Sequence, residues 1–272
     1  MLKDCVLVLG SGKSILNLTK SERELLNTCE VKIGINKYAA FYELAGIEPS
    51  HVYFHDDHYE SSVLFFQYLI KKIKKNRLKN ITLIVSESTA KKLIKNKIQY
   101  YINTIIFYHK KIFKNKYPKK KVLLIPKNYN IQTIRIENYI KKCTPWAKKK
   151  EDPLYHFKGS FSTVLNYISI FYPNKTVLLV GVDFNTSDYF FESELEKLSF
   201  ETKDWTYELR KNHNKHYSVI ETDGVKMDEE LPFMIDELAK TNNKMLSLNI
   251  KSYLVENGFV KSVDLKDFKL NE

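Results

Sequence analysis

Cys5-Val-Leu-Val-Leu9 runs directly into Gly10-Ser-Gly-Lys-Ser14, and this junction decides the fold class. Five apolar residues in a row are too few for a buried helix and leave no polar face. That is the pattern of a strand covered on both sides in a parallel sheet. The glycines allow a tight turn off the strand and a close approach of the backbone to another group. Outward from this junction the pattern repeats. Val31-Lys-Ile-Gly-Ile35 reads as a second strand with Asn36 at its end, His51-Val-Tyr-Phe54 as a third ending at His55-Asp-Asp-His58, and Ile81 to Val85 as a fourth. Ser21-Glu-Arg-Glu has the look of a capping box opening a short helix, 39–46 reads as helical, and a basic helix covers 60–76.

A lysine-rich middle, from about 88 to 150, holds helical stretches and a strand at Val122 to Ile125. Beyond it Ser160 to Tyr172 reads as a helix, and Thr176 to Val180 as an all-apolar strand closed by Gly181-Val-Asp183-Phe. A helix over 227–241 carries Met227, Leu231, Met234 and Leu238 on one face. Met245 to Leu248 reads as a last strand and 250–258 as a closing helix. Residues 186–222, polar and aromatic, are expected to form a lid-like loop. Strands alternating with helices in this order predict an α/β fold. The expected architecture is a Rossmann-like, mainly parallel sheet with helices on both faces and an inserted helical or lid region, all in one domain over 1–272.

The bulk composition fits this reading. A chain of 272 residues that is 43% hydrophobic can bury a sizeable core. The three cysteines, Cys5, Cys29 and Cys143, are odd in number and far apart, so neither a disulfide framework nor a zinc site is implied. The apolar part of the opening segment is too short for a signal peptide, and no run approaches the ~18 apolar residues of a membrane helix. A cytoplasmic location is therefore expected. The net charge of +12 is concentrated in blocks. One runs over Lys71, Lys72, Lys74, Lys75, Arg77 and Lys79, another over Lys110 to Lys121, a third over Lys148 to Lys150. These are either solvated faces or an attraction for an anionic partner such as a lipid headgroup, an acidic glycan, a sugar nucleotide or nucleic acid.

Ligands of such sheets sit outside the carboxyl ends of the strands. That rule gathers Gly10, Ser11, Gly12, Lys13 and Ser14 with Asn36, Lys37, the His55–His58 turn, Asp183 and Asn185 into one candidate site. The glycine turn offers backbone N–H groups to a phosphate, although it lacks the earlier glycine of a Walker A loop and the third glycine of GxGxxG. Gly159, Ser160 and Ser162 open a helix beside Lys158, a second place for an anion unless they merely cap the helix. His55, Asp56, Asp57 and His58 suit either a metal or a general base, or they form a plain polar turn. His213 and His216 sit with Tyr217 in the presumed lid, where Trp205 and Tyr207 either anchor the loop or stack on a sugar.

Three segments together resemble one family. Val6-Leu-Val-Leu-Gly-Ser-Gly-Lys-Ser-Ile-Leu16 resembles the glycine-rich opening of the bacterial sialyltransferases of the Campylobacter and Haemophilus lipooligosaccharide type. Lys158-Gly-Ser-Phe-Ser162, then Val177-Leu-Leu-Val-Gly-Val-Asp-Phe184, resembles that family's nucleotide-binding helix and its Gly-Ile-Asp-Phe strand end. Asn214-Lys-His-Tyr217, followed by Leu246-Ser-Leu-Asn-Ile-Lys-Ser-Tyr-Leu254, is similar to the tail of the same domain. The resemblance implies a CMP-activated sialic acid donor, a mobile lid and no strict need for a metal or other cofactor; Kdo transferases share related architecture. It implies that Gly10, Ser11, Gly12, Asn36, Ser160 and Ser162 contact CMP, that the acceptor is a cell-surface glycan or glycolipid, and that the protein works peripherally at an anionic membrane with no nucleic acid partner.

The chain departs from the family at several points. His55 stands where the family has asparagine, Lys158 where it has arginine, and Asn185 and Phe191 where it has loop tyrosines. Ile220 occupies the place of the catalytic histidine. The role of base is then left to His216 or to Asp56, Asp57 and His58, or a carboxylate among Asp56, Asp57 and Asp183 serves as a nucleophile. The concentration of acidic and imidazole groups favours the strand-end cluster. Two other classes stay open. One is a nucleotide enzyme resembling pterin pyrophosphokinases; the other is a nucleic-acid-binding module using the lysine blocks.

Overall fold

The first strand is the hub of the sheet, because its side chains feed two separate cores. In the computed structural model, which describes residues 2–55, 59–75, 78, 80–87, 130–138, 145–197, 207–222 and 224–268, β1 (Cys5–Leu9) is buried along its whole length. Cys5, Leu7 and Leu9 point into one apolar cluster, and Val6 and Val8 into the other. The same alternation holds in β3 (His51–Phe54), β4 (Thr82–Ser86) and β8 (Thr176–Val180). Strands covered on both faces need no polar face, which is why their sequences read as continuous apolar runs.

The eight-stranded sheet has the order β10-β9-β8-β1-β2-β3-β4-β5. Its other members are β2 (Val31–Ile35), β5 (Asn130–Ile134), β9 (Lys244–Ser247) and β10 (Lys261–Ser262). Every pairing in it is parallel. This is the mainly parallel, Rossmann-like α/β sheet that the sequence predicts. A small parallel pair, β6 (Ile136–Asn138) with β7 (Leu154–His156), lies apart from it. Helices α1 (Lys20–Asn27), α2 (Tyr38–Ala45) and α3 (Tyr59–Lys75) cover one face. On the other lie α4 (Ser160–Phe171) and α7 (Leu231–Ala239).

Several boundaries differ from the sequence reading, each for a local reason. The capping box belongs to Thr19 and Glu22, not to Ser21: Thr19 N–H donates to Glu22 Oε2 at 2.7 Å, and Glu22 N–H to Thr19 Oγ1 at 3.3 Å. The apolar stripe of 227–241 is all buried, but the helix splits into a 3-10 turn, Met227–Glu229, and α7, because Pro232 has no N–H and suits a helix start. The presumed lid contains α5 (Glu192–Glu196), α6 (Tyr207–His213) and a 3-10 turn at Tyr217–Val219, so it is more helical than a loop. The closing helix is the short α8 (Tyr253–Glu256). The strand at Val122 to Ile125 lies outside the described residues.

Cys5 and Cys29 are buried free thiols, and burial pushes Cys5 up to about 11. Among the described residues no helix is long and apolar enough to cross a membrane. Of the lysine blocks, Lys71, Lys74 and Lys75 are exposed at the end of α3, Lys72 pairs with Glu43 at 3.7 Å, and Lys148 to Lys150 are exposed. Arg77, Lys79 and Lys110 to Lys121 lie outside the described residues.

At the amino edge of the sheet, His51 joins elements that are distant in sequence. Its Nδ1 lies 2.9 Å from Ser50 Oγ and its Nε2 2.9 Å from the Tyr172 hydroxyl. Burial, with Lys32 adding to it, lowers its pKa from 6.5 to about 4. A folded pKa below the unfolded one means that the unfolded chain binds more protons between these values, so stability falls with acidification. The thermal midpoint should therefore drop as pH is lowered from 6.5 to about 4, and His51→Gln should flatten that slope. An unaltered slope in the variant would assign the effect to another group.

Candidate functional site

The strand order changes direction at β1, whose neighbours are β2 on one side and β8 on the other. The carboxyl ends of β1 and β8 thus flank the switch point, where open α/β sheets bind their ligands. There the two loops close on each other. Gly10 N–H donates to Val180 O at 2.9 Å and Gly12 N–H to Gly181 O at 2.7 Å. Asp183, 4% exposed, accepts from Ser14 N–H at 2.9 Å, from the Ser14 hydroxyl at 2.5 Å and from Asn249 Nδ2 at 2.8 Å. A side chain at position 10 would collide with the Gly181 carbonyl, and one at position 12 with the Asp183 carboxylate.

This revises the reading of the glycine turn. Its glycines admit a neighbouring loop, and the N–H groups of Gly10, Gly12 and Ser14 are bonded within the protein rather than presented to a phosphate. A 3-10 turn, Lys13–Asn17, follows the strand. Asp183 is engaged in the same lock, its carboxylate already bonded to three donors of the chain.

The second half of the site lies at β2, β3 and the start of α4. Asn36 N–H donates to Tyr53 O at 2.7 Å, its Oδ1 accepts from His55 N–H at 3.1 Å, and its Nδ2 donates to Ser160 Oγ at 2.9 Å. One amide thereby ties two strand ends to the first residue of a twelve-residue helix. Lys37 precedes α2 beside it. Gly159 leads into α4 with no side-chain cap. Ser162, by contrast, is fully buried; its Oγ accepts from Phe157 N–H at 2.8 Å and lies 3.1 Å from Phe157 O. It shapes the turn from within the core. The Lys158 ammonium is directed at the Ile220 and Val225 carbonyls, so this cation fastens the segment after α6 instead of waiting for an anion. Asn36, Lys158 and Phe184 have φ of 50°, 51° and 60°. Left-handed backbone at a lysine and a phenylalanine is strained, and such strain gathers at functional sites.

Two histidines meet here. His55 and His156, 8% and 6% exposed, have ring centres 5.1 Å apart and nearly perpendicular planes. Each Nδ1 lies against a hydroxyl, Ser86 Oγ at 3.2 Å for His55 and Thr163 Oγ1 at 2.7 Å for His156. His156, Ser86 and Thr163 escape a sequence reading; the one signal was the position of His156 two residues before the Lys158-Gly159 turn. Asp56, Asp57, His58 and Trp205 lie outside the described residues. Among the described residues no group of three His, Cys, Asp or Glu is arranged to hold a metal ion.

His216 lies between the rings of Phe184, 5.0 Å away, and Tyr189, 6.1 Å away. Its Nδ1 accepts from Ser218 N–H at 3.2 Å. A backbone N–H can only donate, so the neutral ring carries its proton on Nε2 and presents a donor there. That geometry speaks against His216 as the base. Ile220 is buried and supplies a carbonyl to Lys158. Asn185 donates from Nδ2 to the Lys251 carbonyl, and Ser11 accepts from Phe190 N–H at 2.9 Å.

A scan against protein-family models, a search of curated proteins and a search of solved structures found no match. The fold and the site therefore rest on this chain's own geometry.

The lock between the loops can be tested directly. Asp183→Ala strips a buried acceptor from three donors and should cost about 2 kcal/mol or more. Gly12→Ala should also destabilise, and the double variant should lose less than the two single losses added, because removing the carboxylate makes room for the new methyl. Additive losses measured by urea unfolding would mean that the two positions do not interact.

Proposed function

We propose that the chain is a glycosyltransferase that moves an acidic sugar, of the sialic acid or Kdo type, from a CMP-activated donor to a cell-surface glycan acceptor. One observation carries this reading: the segments that resemble the CMP-sugar transferases, far apart in sequence, are bonded to one another at a single edge of the sheet. Gly12 meets Gly181, Ser14 meets Asp183, His216 N–H donates to Phe184 O at 3.1 Å, and the Ser218 hydroxyl donates to Lys158 O at 3.2 Å.

In this reading the nucleotide lies along the carboxyl edge, between the turn after β1 and the start of α4, where Asn36 and Ser160 form a polar pair. The acceptor hydroxyl needs a base, and the facing rings of His55 and His156 place two imidazoles at this edge. Exposed lysines of α3 and of 148–150 suit an anionic, membrane-borne acceptor at the cytoplasmic face.

Thermal unfolding with CMP, UDP, GDP, ADP and NAD tests the nucleotide class. CMP at 100 times its dissociation constant should stabilise by roughly 2.7 kcal/mol, and the others far less. Equal shifts, or none, would remove the CMP reading. A second measurement addresses the base: His156→Gln keeps the size and polarity of the ring but cannot take a proton at neutral pH. Transfer from a CMP-sugar should then slow ~10²-fold or more while CMP affinity is retained. Normal turnover would exclude His156.

A further inference from the structure

Helix α6 is fastened to the segment 187–192 by two very different contacts, and that segment in turn lies along the glycine turn, with Gly12 bridged to Tyr189. The first contact is buried. Arg210 is 0% exposed; its guanidinium donates to the Ser187 carbonyl, lies 3.6 Å from Glu192 Oε1, and stacks 4.0 Å from the centre of the Tyr189 ring. The second is open to solvent. The Asp188 carboxylate receives Lys13 Nζ on Oδ2 at 2.6 Å and Lys211 Nζ on Oδ1. The three side chains are 31%, 51% and 35% exposed in that order. Lys13 belongs to the turn after β1 and Lys211 to α6, so one carboxylate joins two elements across the carboxyl edge.

A carboxylate with one ammonium ion on each oxygen has the partners that a phosphate takes. The site is reachable from solvent, and exposed ion pairs are weak enough to exchange. We propose that Asp188 is a built-in competitor for a phosphate: a phosphate-bearing ligand at the carboxyl edge displaces the carboxylate from Lys13 and Lys211 and releases this latch, while Arg210 keeps α6 attached. The ligand class rests on the reading of the site as a nucleotide site; the latch does not. The two lysines hold the Asp188 carboxyl down at about 2, so the competitor stays charged throughout the neutral range.

Amide hydrogen exchange over 207–213 tests the latch without any nucleotide. Inorganic phosphate should speed exchange there several-fold over sodium chloride of equal ionic strength in the wild type. Asp188→Asn should exchange fast in both salts. Equal rates in phosphate and chloride, or an Asp188→Asn protein as slow as the wild type, would overturn the proposal. Affinity for CMP gives the second arm. If Asp188 occupies the lysines in most molecules, its neutralisation should tighten CMP binding about threefold to tenfold. Lys13→Met should erase that gain. Weaker or unchanged CMP binding in Asp188→Asn would make the carboxylate a positioning group and refute the competition. Failure of both proteins to bind CMP would instead sink the nucleotide reading, with the exchange result still deciding the latch.

Discussion

A single buried carboxylate sets the geometry of the carboxyl edge. Asp183 is removed from water at the end of β8, and its charge is compensated by donors from the turn after β1 and from the chain after β9. Burying an unpaired carboxylate is prohibitive, so all of these donors have to be in place together. That requirement fixes the distance between the two loops at the switch point, and the absence of side chains at positions 10 and 12 follows from it. Tyr253 N–H also donates to the Asp183 carbonyl at 2.8 Å, which brings α8 to the same point. The ends of three parallel strands are thus held by one residue.

Around that lock the edge divides by what its polar groups have left to offer. Ser14, Ser162, Lys158 and Asp183 are committed to other parts of the chain. Asn36 and Ser160 bond to each other at the mouth of a long helix, and His55 and His156 face each other between hydroxyls. The proposed transfer reaction draws on the second set. At Asn36, Lys158 and Phe184 the surrounding bonds hold the backbone in a left-handed conformation that the isolated residue disfavours.

The sheet was legible because its central strands are apolar throughout, and burial on both faces leaves no other pattern. The missed strands are the ones where that rule fails. In β5 the run Asn-Ile-Gln-Thr-Ile sits at an edge with most of its residues exposed, and β7 is only Leu-Tyr-His. Helix α6 was hidden for a different reason: its buried anchor is Arg210, so the residue facing the interior is the one a periodicity reading assigns to solvent. The site was legible as a place more than as a set of contacts. A glycine announces that something approaches its backbone closely, and a carboxylate of the same chain meets that need as well as a phosphate does. Asp183 and the anion expected at Gly10–Ser14 are indistinguishable from sequence.

The buried cations show a related economy, and it bears on the charge of +12. Lys32 directs its ammonium to the Asn27 and Cys29 carbonyls at 3.1 and 2.6 Å, and burial lowers its pKa. Lys158 does the same with Ile220 and Val225, and Arg210 with Ser187. In each case a cation replaces the water that loop carbonyls would otherwise need, so that irregular chain can be packed without orphaned acceptors. Carbonyls are neutral and cancel none of the charge of Lys32 and Lys158, whereas Arg210 also pairs with Glu192 at 3.6 Å. The field of the two lysines therefore adds to that of the exposed lysines, while their donors are engaged within the chain. Attraction of an anion to a protein is a property of the whole charge distribution; in the proposed latch its capture falls to Lys13 and Lys211, the cations that exchange partners there.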